Sequence, residues 1–218
     1  MGQLTRPKAV ILDWDNTLID SWLAIQDAQN HTFASFGMEP WSLQEIRERV
    51  RGSMRDTYPQ LFGERWREAG DIFYRRFAER HLETLSPLPG AEQMLEGLYA
   101  DGFYLAVVSN KKGDYLREEA VRLGWDRWFG RIVGAFDACN DKPAIDPVEC
   151  ALQGSGISAG HDVWFAGDAD IDLECATHAG CVPVLVRPDP PRGNEFGAYQ
   201  PKVYVDGCLT LLKVLRKL

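Results

Sequence analysis

The sequence predicts an α/β fold: a Rossmann-like, mostly parallel sheet with helices on both faces and an inserted helical cap. Three observations predict it. A lone apolar run, Ala9-Val10-Ile11-Leu12, reads as a buried strand near the start. From Ser21 to Ser86 only helical spacing follows, with no convincing strand. After Pro87-Leu88-Pro89-Gly90 the pattern becomes an alternation of helix and strand, which implies mostly parallel strands joined by crossover helices. The domains are therefore expected at 1–20 with 87–218 for the core and 21–86 for the insert.

Each element has its own justification. In the insert, Trp22, Ile25, Gln29, Phe33 and Phe36 recur at helical spacing, and Gly37 supplies a stop. Ser42 with Glu45 three residues on is a capping box that opens a second helix. Trp66, Ala69, Phe73 and Phe77 form a third stripe. In the core, strands are expected at Tyr104–Val108, Ile132–Ala135, Val163–Ala166, Val182–Val186 and Val203–Val205. Helices are expected at Ala91–Ala100, Asp114–Leu123, Pro147–Gln153, Ile171–Ala179 and Leu209–Leu215. Arg187 to Pro201 holds four prolines and two glycines and reads as a surface loop.

Composition excludes several function classes. Twenty-four Lys and Arg against thirty-two Asp and Glu give a net charge of −8, which repels a nucleic-acid backbone. The apolar runs fall far short of the ~20 residues of a membrane span, and no charged-then-apolar leader pattern opens the sequence. Five cysteines, an odd number with no Cys-x-x-Cys pair, argue against a disulfide framework and for a reducing cytoplasm. Neither a nucleic acid nor a membrane is an expected partner, and the oligomeric state stays open.

Ligands of doubly wound sheets bind beyond the carboxyl ends of the strands. Asp13-Trp14-Asp15-Asn16-Thr17 follows the first strand, Ser109-Asn110 the second, and Gly167-Asp168-Ala169-Asp170-Ile171-Asp172 the fourth; Lys142-Pro143 lies between the third and fourth. Carboxylates, a hydroxyl and an ammonium thus collect at one edge. In an extended stretch Asp13 and Asp15 face the same way, with Trp14 turned aside to packing.

That ordered set resembles the haloacid dehalogenase-like hydrolase superfamily over almost the whole chain. Asp13, Asp15 and Thr17 match its Asp-x-Asp-x-Thr motif, Ser109 its second motif, Lys142 its third, and Gly167, Asp168 and Asp172 its Gly-Asp-x-x-x-Asp motif. Ser109-Asn110-Lys111 and Lys142-Pro143 are most similar to phosphoglycolate-phosphatase-type members with an α-helical cap. Asn16 replaces the commoner Gly, a change that Asn's tolerance of left-handed backbone accommodates.

The resemblance implies a Mg²⁺-dependent phosphatase that hydrolyses a small phosphate monoester, of the phosphoglycolate or sugar phosphate type, through an aspartyl-phosphate; the expected partner is therefore a small phosphorylated metabolite. Asp13 would be the nucleophile and Asp15 the acid and base, with Lys142 completing the catalytic set. Ser109, Asn110 and Lys142 would bind phosphate. Asp13, Asp168 and the Asp15 carbonyl would hold Mg²⁺, with Asp172 acting through water. Asp172 also has the simpler reading of a helix-start residue. Lys111 and Lys112 are expected at the surface, with assistance in anion binding as the alternative for either. In the cap, Arg51 or Arg55 would grip a second anionic group of the substrate, or pair with Glu45, Glu48 or Asp56. A phosphomutase of the beta-phosphoglucomutase type and a non-catalytic binding protein on the same fold are the alternatives.

Overall fold

The computed structural model describes residues 4–50 and 52–218. The chain divides into two compact units, Met1–Ile19 with Pro87–Leu218, and Asp20–Ser86. The chain leaves and re-enters the first unit at neighbouring points. Ile19 bridges Pro87 in antiparallel fashion, and the Leu88 amide donates to the Leu18 carbonyl at 2.8 Å.

The larger unit is built on a sheet of six parallel strands: β1 (Ala9–Leu12), β2 (Tyr104–Lys112), β3 (Arg131–Ala135), β4 (Val163–Gly167), β5 (Val182–Val186) and β6 (Val203–Val205). Their order is β3-β2-β1-β4-β5-β6. The runs β1, β4 and β5 are buried along their whole length, as strands covered on both faces must be. One face packs Ile11, Val108, Val133 and Phe165 against Val148, Ala151 and Ala176 from two crossover helices. The alternate residues Val10, Leu12, Leu105, Val107 and Trp164 are equally buried on the other.

All the expected strands form; β3 and β4 are each one residue longer than expected, and β2 is longer by four. β2 runs on to Lys112, because its pairing with β3 slips: Val108 pairs Val133, but Lys112 pairs Ala135. Four steps on β2 oppose two on β3, so Ser109, Asn110 and Lys111 bulge out of register. The core helices lie within a residue or so of their expected places: α5 (Ala91–Ala100), α6 (Gly113–Leu123), α7 (Asp146–Leu152), α8 (Asp170–His178) and α9 (Cys208–Leu215).

The smaller unit contains α1 (Trp22–Ser35), α2 (Leu43–Arg49), α3 (Met54–Phe62) and α4 (Trp66–Arg80), and no strand among its described residues. The capping box forms: Ser42 Oγ accepts from the Glu45 amide, and Glu45 accepts from the Ser42 amide. Phe33 is fully buried, with Trp41 edge-on at 4.7 Å and Phe62 at 5.9 Å. Val50-Arg51-Gly52-Ser53-Met54-Arg55 reads from the sequence as the join between two helical segments, and the second helix reaches further into it than that reading expects. α3 begins at Met54, so Arg55 stands in its first turn rather than in a loop. Arg51 lies outside the described residues.

Candidate active site

The strand order reverses at β1. The chain winds from β1 to β2 and β3 on one side, then crosses to β4, β5 and β6 on the other. Carboxyl ends that part company in this way leave a crevice between β1 and β4. Asp13 is the first residue beyond β1 and Asp168 the first beyond β4. The Asp13 amide continues the ladder, donating to the Ala166 carbonyl at 2.9 Å. The topology therefore forces two carboxylates together.

Asp172 joins them from the first turn of α8. Oxygens of Asp13, Asp168 and Asp172 all lie within 4.8 Å of one another. Asp172 Oδ2 accepts from the Ala169 amide at 3.1 Å, so the residue caps the helix start, while Oδ1 faces the cluster. Gly167 makes this possible, since a Cβ there would collide with the Asp172 carboxyl. The helix-start reading of Asp172 thus holds, and the same side chain also contributes an oxygen to the acidic cluster. Thr17 Oγ1 donates to Asp168 Oδ1 at 3.3 Å. Asn16 takes φ +62°, the left-handed conformation expected of it.

Lys142 supplies the cluster's ammonium. Its Nζ donates to Asp13 Oδ1 and to Asp172 Oδ1, both at 2.7 Å, with the residue 2% exposed. Asn110 has an arrangement beyond its expected phosphate contact. Its side chain clamps the Lys142 backbone, accepting from the amide at 3.1 Å and donating to the carbonyl at 3.2 Å. Ser109 is buried at the end of the regular part of β2, and its Oγ accepts from the Lys111 amide. Loop and bulge are thereby locked to each other.

Burial pushes the Asp13 carboxyl up to about 7; Lys142 pulls it down, while Asp172 and then Asp15 push it up. Asp168 is raised well above the usual carboxylate range by burial, then by Asp172 and Asp13. Burial alone would lower Lys142, but Asp13 and Asp172 hold it above its ordinary value. Asp13 and Asp168 resist ionising first because they are buried and then because other carboxylates lie beside them.

A second ion-pair group adjoins the first and corrects the reading of Lys111. Its side chain is 5% exposed, not at the surface, and its Nζ lies 2.6 Å from Asp15 Oδ1 and 2.7 Å from Glu119 Oε2. The same Glu119 oxygen accepts from Trp14 Nε1 at 2.7 Å. Trp14 is fully buried, as its turned-aside orientation predicts, edge-on to Trp125 at 5.9 Å and Phe129 at 6.5 Å. Lys112 is partly buried, with its ammonium 5.7 Å from the Tyr115 ring centre. Glu119 was not among the expected site residues. Its signal was present: with Leu116, Ala120 and Leu123 it falls at i, i+3, i+4 and i+7, on the apolar stripe of α6. An acid on that stripe demands a buried partner.

Five carboxylates (Asp13, Asp15, Asp168, Asp172 and Glu119) thus meet two ammonium groups, Lys111 and Lys142. Hard oxygen donors in cationic deficit suit a divalent ion such as Mg²⁺. Arg55, partly buried in α3, belongs to the smaller unit.

A family model described as haloacid dehalogenase-like hydrolase matches residues 10–186. A phosphoglycolate phosphatase from Aquifex aeolicus is 29% identical over 174 residues, 79% of this chain and 81% of its own. A pyrophosphatase from Halalkalibacterium halodurans is 26% identical over 181 residues, covering 81% and 82%. A haloacid dehalogenase-like family hydrolase structure from Streptococcus pneumoniae superposes with a TM-score of 0.83, covering 96% of this chain and 98% of its own at 20% identity, and so shares the fold. Crevice, acidic cluster and matched sequence agree: the chain belongs to the haloacid dehalogenase-like hydrolases, and the curated relatives it resembles are phosphatases.

Proposed function

We propose that this protein is a Mg²⁺-dependent phosphatase that hydrolyses a small phosphate monoester, of the phosphoglycolate or sugar phosphate type, through an aspartyl-phosphate. The observation that carries the reading is the meeting of Asp13, Asp168, Asp172 and Lys142 at the switch point of the sheet. Phosphate monoesters react slowly because the reacting centre is shielded by its own negative charge. The site must therefore bring a carboxylate to a dianion and stabilise both.

Asp13 and Asp168, with the Asp15 backbone carbonyl, would hold Mg²⁺, and Asp172 would orient the set. Bound there, the ion screens the charge between nucleophile and phosphate. Asp13 attacks phosphorus, and the bond to the leaving oxygen breaks as Asp15 protonates that oxygen. Asp15, now a carboxylate, takes a proton from the water that hydrolyses the aspartyl-phosphate. Lys142 carries the compensating charge, and Ser109 donates to the phosphoryl group. The acidic composition and odd cysteine count support a cytoplasmic setting.

The test is phosphate release from a panel of monoesters and pyrophosphate, with Mg²⁺ and with chelator, for wild type and Asp13→Asn. Metal-dependent release confined to wild type is expected. An Asp13→Asn variant of undiminished rate rules out the mechanism, and isomerised sugar phosphate without release would indicate a mutase.

A further inference from the structure

The Lys111–Glu119 pair is not used by the phosphatase reading, yet it is buried and tied to a residue of that mechanism. Lys111 is placed by the bulge in β2, which sends its side chain back toward the segment after β1. Of the three ion-paired side chains, Glu119 is 1% exposed, Lys111 5% and Asp15 18%. The chain of contacts therefore runs from the interior outward and meets solvent chiefly at Asp15.

Stability does not explain it. A buried ion pair is often no better than an apolar pair of the same volume. The indole of Trp14 gives Glu119 Oε2 a hydrogen bond but no counter-charge, which Lys111 supplies, and an apolar pair in place of the two charges would serve stability as well. What the arrangement does achieve is fixation. A lone lysine on Asp15 would follow that carboxyl through its rotamers. Lys111 cannot, because Glu119 holds the other side of its Nζ and is itself pinned to the indole of Trp14. Trp14 is the residue between Asp13 and Asp15, and it is caged by Trp125 and Phe129. One carboxylate on α6 thus sets both the backbone that carries Asp13 and Asp15 and the orientation of the Asp15 side chain.

We propose that Lys111 and Glu119 are positioning residues which hold the Asp15 carboxyl at the place where it hands a proton to the leaving oxygen and later takes one from water. This rests on the phosphatase reading given above. Misplacing a proton donor by about 1 Å can cost on the order of 100-fold in rate, out of the 10²–10⁴-fold that general acid–base catalysis supplies (a rough range).

The leaving group separates a positioning role from a merely structural one. An alkyl oxygen needs a proton to depart, and p-nitrophenolate does not. The value of kcat/KM reports the steps up to formation of the aspartyl-phosphate, so the later use of Asp15 as base does not obscure the comparison. The variants are Lys111→Met with Glu119→Gln, which removes both buried charges together and keeps an acceptor for Trp14, and Glu119→Gln alone, which keeps Lys111 on Asp15. Full-length protein with Mg²⁺ is assayed on phosphoglycolate and on p-nitrophenyl phosphate. For the double variant kcat/KM is expected to fall about 100-fold on phosphoglycolate and less than about 5-fold on the aryl ester. Glu119→Gln is expected to show the same selectivity at about a tenth of the size. Equal losses on both substrates, no loss, or a gain in either variant overturn the proposal. If wild type releases no phosphate, or Asp13→Asn releases as much as wild type, it is the phosphatase reading that fails, and this inference falls with it.

Discussion

Replacing Asp13 by Asn is expected to abolish turnover and, in chelator, to stabilise the protein at alkaline pH. In the folded chain burial pushes this carboxyl from an ordinary 3.8 up to about 7. As pH rises, the unfolded chain therefore loses its proton first. The stability carried by protonated Asp13 is complete below about pH 3.8, declines across the interval, and is gone above about pH 7. At about 1.4 kcal/mol per pH unit the whole interval comes to about 4 kcal/mol, of which about 3 kcal/mol falls above pH 5. Asn has the same shape, bears no charge and keeps an acceptor for Lys142, so it suffers no such decline. Asp168 keeps its burial and Asp172 in both proteins, and losing its repulsion from Asp13 moves the variant in the same direction, so the gap is a lower bound.

The assay is urea unfolding in chelator at pH 5 and pH 8.5, wild type beside Asp13→Asn. The variant should gain about 3 kcal/mol on wild type between the two conditions. Mg²⁺ should shrink the gap, because it binds the wild-type cluster more tightly than the neutralised one. A gap that stays constant between pH 5 and pH 8.5 would show Asp13 titrating like a solvated carboxylate. The account of the cluster as short of positive charge would then be wrong.

Two further outcomes follow from the same geometry, and a third follows from the sequence reading of Arg55. Gly167→Ala should displace the Asp172 carboxyl and raise the Mg²⁺ concentration needed for half-maximal phosphate release by about tenfold, the scale for losing an outer partner of a metal site; an unchanged requirement would contradict the steric role given to this glycine. Mg²⁺ at about 100 times its dissociation constant should raise unfolding stability by about 2.7 kcal/mol in wild type, and thermal melts of Asp13→Asn should show a much smaller shift. Arg55→Ala should raise KM for phosphoglycolate several-fold more than for p-nitrophenyl phosphate, and equal changes in the two steady-state values would remove Arg55 from substrate selection.

Much of the fold was legible because its periodicities are strong. β1, β4 and β5 are continuous apolar runs, and Ser42 with Glu45 signals a helix start from sequence alone. The site was legible for a related reason. When every strand runs the same way, the residue after each strand must lie at one edge, so Asp13, Ser109 and Asp168 converge whatever the details of packing. α3 was less visible, since its start follows Gly52-Ser53 within a segment that reads as a connection.

Lys111 shows where such reading stops. Its neighbours in sequence are polar, and Lys112 beside it is indeed only partly buried, so a solvent-facing pair was the natural expectation. Two facts invert it, and both are non-local. The slip between β2 and β3 turns the side chain inward, and register is a property of the pair of strands rather than of either sequence. Its counter-ion lies eight residues further on, across a strand-to-helix turn. From sequence the more tractable clue was Glu119, an acid on the buried stripe of an amphipathic helix. A carboxylate placed there cannot remain without a donor. The search for its partner starts at the lysine of the preceding bulge and the indole after β1, and those groups are the ones that meet it.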